Sequence, residues 1–188
     1  MKKVDINFKK ITKNSRSFKK TSDEIVMKKY KQTKQKFFSE FESHPITKEI
    51  EDGPQASNSS NTLNGIGNLF SFIGFSNSSA PIKDLANILK QNFSISSKKK
   101  ENNIRYTINF PTLQKIKNST PMPFESGNSW AIGIERGISG FSNYLYKKFI
   151  EGRSKEALQS ENKVRSGNYK KTQYLSEIIN NFINNMTK

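Results

Sequence analysis

Residues 65–75, GIGNLFSFIGF, set the terms for any fold of this chain: five large apolar side chains, Leu69, Phe70, Phe72, Ile73 and Phe75, fall within seven consecutive positions. Exposed to water, that much aromatic surface drives association, so the segment belongs in a core or against a partner. A core has to be assembled around it from scarce material. Only 32% of the 188 residues are hydrophobic, although 11% are aromatic and most of those are Phe. A typical globular domain reaches roughly 45–50% with glycine counted. The expectation is one modest core carrying long polar extensions, within the length of a single domain.

The other apolar residues fall in short periodic segments. Val26, Tyr30, Phe37 and Phe41 recur at helical spacing, with Ile25 and Phe38 beside them and lysines mostly on other faces. With the capping-box sequence Thr21-Ser22-Asp23-Glu24 ahead of them, they predict a long amphipathic helix over 22–43, closed by His44-Pro45. ITKEIED predicts a short second helix halted by Gly53-Pro54, and residues 53–64 read as a flexible loop. Pro81 opens a helix with Ile82, Leu85, Ala86 and Leu89 on one face. FSIS and IRYTINF alternate around SSKKKENN, the pattern of a β-hairpin with a Lys-rich tip. Trp130, Ile132 and Ile134 share one face of an expected strand, followed by the aromatic cluster Phe141, Tyr144, Tyr146 and Phe149. The stretch 151–171 is polar and reads as a second flexible loop. Leu175, Ile178, Ile179, Phe182, Ile183 and Met186 predict a C-terminal helix packed on the sheet. The fold class is therefore α+β: a long N-terminal helix and a C-terminal helix on a small antiparallel sheet, residues 21–188 forming one domain behind a basic arm at 1–20.

Charge follows a different division. The chain carries 32 Lys and Arg against 16 Asp and Glu, a net +16. Residues 1–40 hold 13 basic and 4 acidic side chains, residues 41–80 hold 1 and 4, and residues 81–120 hold 8 and 2. The excess thus lies in the arm (Lys2, Lys3, Lys9, Lys10, Lys19, Lys20) and at the hairpin tip (Lys98, Lys99, Lys100), where it fits a polyanion or an acidic partner. Lys outnumbers Arg 27 to 5, which favours positioning on charge over bidentate reading of bases. An AT-rich genome also favours Lys and Asn, so part of the excess needs no partner. Within the arm Val4, Ile6 and Phe8 alternate, as in a short strand that would add to a neighbour's sheet edge; a solvated arm is the alternative.

Most enzyme chemistry finds no place here. The absence of Cys excludes disulfides, Cys-ligated zinc, iron–sulfur clusters and thiol nucleophiles. His44 is the one histidine, and at a helix end it is expected to satisfy carbonyls. Gly65-x-Gly67 lacks the third glycine of a dinucleotide fingerprint and the Gly-Lys-Ser/Thr ending of a P-loop. Glu125, Glu135 and Glu151 are scattered, and Glu135-Arg136 reads as a structural ion pair rather than a catalytic acid. No enzyme activity, cofactor or metal is expected. No run of about 18 apolar residues spans a membrane, and MKKVDINFKK lacks a secretory leader, so synthesis in a cytoplasm is expected.

The order of features, a charged helix, then Phe41-Glu42-Ser43-His44-Pro45-Ile46-Thr47-Lys48-Glu49-Ile50, a loop into Gly67-Asn68-Leu69-Phe70, a sheet and a final helix, resembles the tail-completion and neck proteins of tailed bacteriophages. The similarity spans residues 22–186 in element order and is densest at 41–75 and 129–150. It implies a non-enzymatic virion protein, assembled in the host cytoplasm, forming a homo-oligomeric ring between head connector and tail tube. Its implied partners are portal or adaptor proteins, the tail tube or its terminator, and packaged DNA contacted without sequence specificity, with no membrane. Val4, Ile6, Phe8, Phe70, Phe72, Phe75 and Trp130 are the candidate interface residues, since the two sides of a subunit in such a ring differ. The alternative is a basic nucleic-acid-binding protein of the ribosome or nucleoid.

Overall fold

The computed structural model describes residues 3–9, 16–63, 67–100, 103–123, 125–137 and 172–187. Helix α1 (Arg16–Ser43) is the spine. Ser22, Val26, Tyr30, Thr33, Phe37 and Phe41 form one buried row along it, at the three- and four-residue steps that keep side chains on one helical face. The helix starts earlier than the expected residue 22, so Thr21 to Glu24 lie inside it. Phe18 explains the extension: it packs on the cluster of Val26, Ile104 and Tyr106, and tertiary packing outweighs the local capping signal.

Helix α2 (Pro45–Glu51) follows at once, with Pro45 at its first position, and a 3-10 turn (Gly53–Gln55) leads into the loop before α3 (Leu69–Ile73). Gly74 ends α3 at φ 85°, a left-handed conformation that a side chain would strain, and the amides of Gly74 and Phe75 both return to the Phe70 carbonyl. Helix α4 (Pro81–Asn92) buries Ile82, Leu85 and Leu89 as expected.

The expected hairpin forms from β2 (Ser94–Lys100) and β3 (Asn103–Asn109). A third strand, β1 (Lys3–Lys9), completes an antiparallel sheet of order β1-β3-β2, with Val4, Ile6 and Phe8 in register with Ile108, Tyr106 and Ile104. The alternation in the arm therefore does make a strand, but the edge it joins is β3 of its own chain and not a neighbour's. Pairing within the chain covers the open side of β3 without the entropy loss of association. Residues 3–9 thus belong to the domain's sheet rather than to a separate arm.

Three short elements follow: α5 (Leu113–Ser119), a two-stranded ladder of β4 (Pro121–Met122) with β5 (Glu125–Ser129), and α6 (Trp130–Arg136). The strand expected at Trp130, Ile132 and Ile134 is in fact this helix. Ser129 caps it by accepting the Ile132 amide, Gly137 ends it at φ 84°, and Trp130, Ala131 and Ile134 are the buried set. Helix α7 (Leu175–Thr187) buries Leu175, Ile178, Phe182 and Met186. It lies antiparallel to α1, since Tyr174 stacks on Phe41 while Phe182 meets Phe37 and Tyr30. The sheet joins this pair through its base. Phe93, before β2, and Phe110, after β3, lie 5.0 Å apart by ring centroids and both pack edge-on against Phe182, at 5.3 and 5.2 Å. The aromatic cluster 141–149 and the polar stretch 151–171 lie outside the described residues.

Candidate functional site

The segment after α1 is built around one buried carboxylate. Glu49, on α2 and 1% exposed, accepts the Leu69 amide at 2.7 Å through Oε1 and the Ser60 amide at 2.9 Å through Oε2. Leu69 opens α3, so Glu49 places negative charge where the helix presents unpaired N–H groups. Asn68 completes the clamp. Its Oδ1 accepts the Ser71 amide, and its Nδ2 donates to the carbonyls of Pro54 and Ala56 at 2.8 and 3.1 Å. Residues 53–63, expected as a flexible loop, are thereby tied to α2 and α3, and Thr62 and Leu63 within them are buried. Pinned at both ends, the loop delivers Leu69, Phe70 and Ile73 into the core.

His44 stands between two helices, directly after the C-terminus of α1, as expected, and at the N-cap of α2. Its backbone amide donates to the Phe41 carbonyl at 3.4 Å, while its ring Nδ1 accepts the Ile46 amide at 3.2 Å, so the side chain caps the start of α2 and does not serve a carbonyl. Burial pushes the imidazole below its usual pKa, with the Glu177 charge acting in the opposite direction. The ring leans on Tyr174, at 4.8 Å by centroids. The Tyr174 phenol is bonded to the Thr47 hydroxyl, and burial drives its pKa up.

The second acid of interest, Glu135, also serves a backbone. Its Oε1 accepts the Ser176 amide at 2.7 Å, at the N-terminal end of α7, so the expected pairing with neighbouring Arg136 is replaced by a helix-capping contact. Glu135 borders a groove of about 430 Å³ between α5, α6 and α7, whose walls are mainly apolar and include Ile116, Ile132, Leu175 and Ile179. Leu113, 66% exposed, stands at its edge. Among the described residues no three His, Asp or Glu side chains gather as a metal site, and no helix is long and apolar enough to cross a membrane.

The candidate interface residues separate into three groups. Phe70 and Trp130, 4% and 1% exposed, are core residues with no surface to offer a partner; Trp130 meets Phe75 edge-on at 5.9 Å. Phe72 and Phe75 are partly buried against the same core. Val4, Ile6 and Phe8 lie in β1.

The candidate cations are divided as well. Lys19 and Lys20 are exposed on α1, which lies against the Ile104–Tyr106 side of the sheet. Tyr106 fixes that contact by donating to Asp23 Oδ1 at 2.6 Å, and burial with this bond pushes its phenol pKa up. Lys98 and Lys99 are exposed on β2. Lys3, Lys9 and Lys100 fall within β1 and β2, while Lys2 and Lys10 lie outside the described residues. Arg105, directly opposite Lys98 in register and exposed, adds a cation that the lysine run alone does not mark. The alternation of IRYTINF carried the signal, because Arg105 falls between the two inward residues Ile104 and Tyr106.

Comparisons of the chain with protein-family models, with curated proteins and with solved structures give no match.

Proposed function

We propose that the protein is a non-enzymatic structural subunit of the neck or tail-completion region of a tailed bacteriophage, forming an oligomeric ring that joins head connector to tail tube. The observation that supports this best is the use made of residues 41–75, the densest part of the resemblance. Glu49 and Asn68 are occupied in holding backbone, and His44 caps a helix. Polar groups committed in this way to the chain's own amides and carbonyls are architectural, whereas acid–base catalysis needs a group aimed at substrate. On this reading the protein acts in the virion, through its surfaces, with portal or adaptor and tail proteins as partners.

The test is the composition of the particle. Mass spectrometry of purified virions of the phage that encodes the chain is expected to find it, and antibody labelling to place it at the head–tail junction. Native mass spectrometry is expected to show a monomer or weak oligomer alone and a closed ring with the connector. A chain abundant in infected cells but missing from virions overturns the proposal. The exposed cations of β2 and β3 favour a second reading, a nucleic-acid-binding protein of the ribosome or nucleoid; co-sedimentation with ribosomes or nucleoid in uninfected cells would select it.

A further inference from the structure

We infer that the outer face of the β2–β3 hairpin, centred on Lys98 and Arg105, is a docking surface for the phosphate backbone of nucleic acid, read without base recognition.

Strand alternation and burial define the face. Ile104, Tyr106 and Ile108 are buried toward the helices, which leaves Arg105, Thr107 and Asn109 on the opposite side of β3. Register sets Lys98 opposite Arg105, Ser96 opposite Thr107 and Ser94 opposite Asn109, and Ser94, Ser96, Lys98 and Arg105 are exposed. Every side chain of this face is a hydroxyl, an amide or a cation.

The charge arrangement is unfavourable for the chain alone. Like charges directly opposite on neighbouring strands destabilise a sheet, and here Lys98 stands directly opposite Arg105, whereas Lys99, opposite Ile104, belongs to the other face. Neither β2 nor β3 contains an acid. The one acid of the three strands, Asp5, stands opposite Thr107 on β1, across β3 from Lys98. Other lysines are used internally: Lys36 pairs with Glu40 at 3.8 Å, and Lys34 and Lys90 lie over aromatic rings. A phosphate backbone removes the repulsion between Lys98 and Arg105 by supplying closely spaced anions.

The composition of the face selects the class of partner. Lys, Arg, Ser, Thr and Asn are the side chains that contact phosphate and sugar. A protein partner calls for an apolar centre, and base stacking calls for exposed aromatics; the face has neither. The binding it predicts is electrostatic, indifferent to sequence and strongly salt-dependent. This goes beyond the neck reading, since a ring can assemble without it.

The test is fluorescence anisotropy of the full chain with short labelled duplexes, AT-rich and GC-rich, between about 50 and 200 mM salt. The key variant is Lys98→Gln with Arg105→Gln, which relieves the cross-strand repulsion and so leaves thermal unfolding unchanged or raised. It is expected to weaken both duplexes about tenfold and to lower the salt slope by about 2, near one for each lost phosphate contact. Lys48→Gln with Lys83→Gln removes two exposed cations elsewhere, on α2 and α4, and is expected to keep near-original affinity. Equal losses in the two double variants would mean that net charge alone is sensed, and overturn the assignment. So would tighter binding to polyglutamate than to duplex, or a large preference between the two duplexes. Ring formation by Lys98→Gln with Arg105→Gln separates the two proposals: a variant that assembles but no longer binds DNA supports this one, and a chain that binds DNA but never enters virions overturns only the neck reading.

Discussion

The Thr47 hydroxyl and the Tyr174 phenol meet at 2.7 Å inside the core, joining α2 to the residue ahead of α7 across 127 positions of chain. Both residues are fully buried. A buried hydroxyl that loses its only partner bears its full desolvation cost, whereas replacing both partners with apolar groups is far milder. Tyr174→Phe and Thr47→Val are each expected to cost about 1–3 kcal/mol. The double variant is expected to cost less than the two added together, with a coupling of about 0.5–3 kcal/mol. Urea unfolding of the four proteins measures this, and strict additivity would show that the hydroxyls do not act as a pair.

Glu49 holds two amides that lie 11 and 20 positions downstream, so its removal should loosen the loop before it loosens the core. Glu49→Ala leaves both N–H groups without an acceptor and is expected to cost at least about 2 kcal/mol. Glu49→Gln keeps one carbonyl oxygen and should lie between the original protein and the Ala variant. Hydrogen exchange locates the damage: the Ser60 and Leu69 amides should exchange faster in Glu49→Ala, while those in the middle of α1 keep their protection. Uniform acceleration through the molecule would contradict a local clamp.

These two contacts also mark where the sequence stops being readable. Helices α4 and α7 follow from their own periodicity, since Leu85 and Leu89, or Ile178 and Phe182, already share a face before any partner is known. The hairpin likewise follows from alternation on either side of a polar turn. In α6 the seven residues from Trp130 fit both patterns, and the decision falls to Ser129 and Gly137 at its two ends. The strand at Val4, Ile6 and Phe8 is legible, but its partner is not, because period-two patterning marks a face and leaves the neighbouring edge open. Glu49 and Tyr174 gain their roles only when distant segments arrive. The surface of Lys98 and Arg105 is partly legible in the same way: the lysines stand out as a run, while the pairing of one of them, Lys98, with Arg105 depends on register.

Tyr30 carries the opposite of a satisfied hydroxyl. Its Oη is buried with no hydrogen-bond partner among the described residues, its pKa is raised by burial, and its ring sits edge-on to Phe182 beneath the Lys34 ammonium at 6.0 Å. Tyr30→Phe keeps the ring and deletes the unpaired group, so stability is expected to stay level or rise by up to about 1 kcal/mol. A loss of more than about 1 kcal/mol on thermal or urea unfolding would mean that the hydroxyl has a partner in solution.

His44 couples the start of α2 to pH. Burial disfavours its imidazolium, so the folded chain takes up that proton at lower pH than the unfolded chain, which titrates near the ordinary value of about 6.5. Between the two values the unfolded state binds more protons, and stability falls as the pH drops through that window. The structural cause is direct. Nδ1 accepts the Ile46 amide, and a protonated Nδ1 carries a hydrogen that cannot accept, so acidification removes the cap. His44→Asn offers an oxygen in the same role and has no charge to gain there. Measured by urea unfolding from about pH 7.5 to about pH 5.5, the original protein is expected to lose stability relative to His44→Asn, the difference opening below about pH 6.5. Carboxylates titrating lower in that range affect both proteins alike, so the difference between the curves isolates the histidine. Parallel curves would mean that His44 takes up its proton equally in both states and that α2 keeps its cap without it.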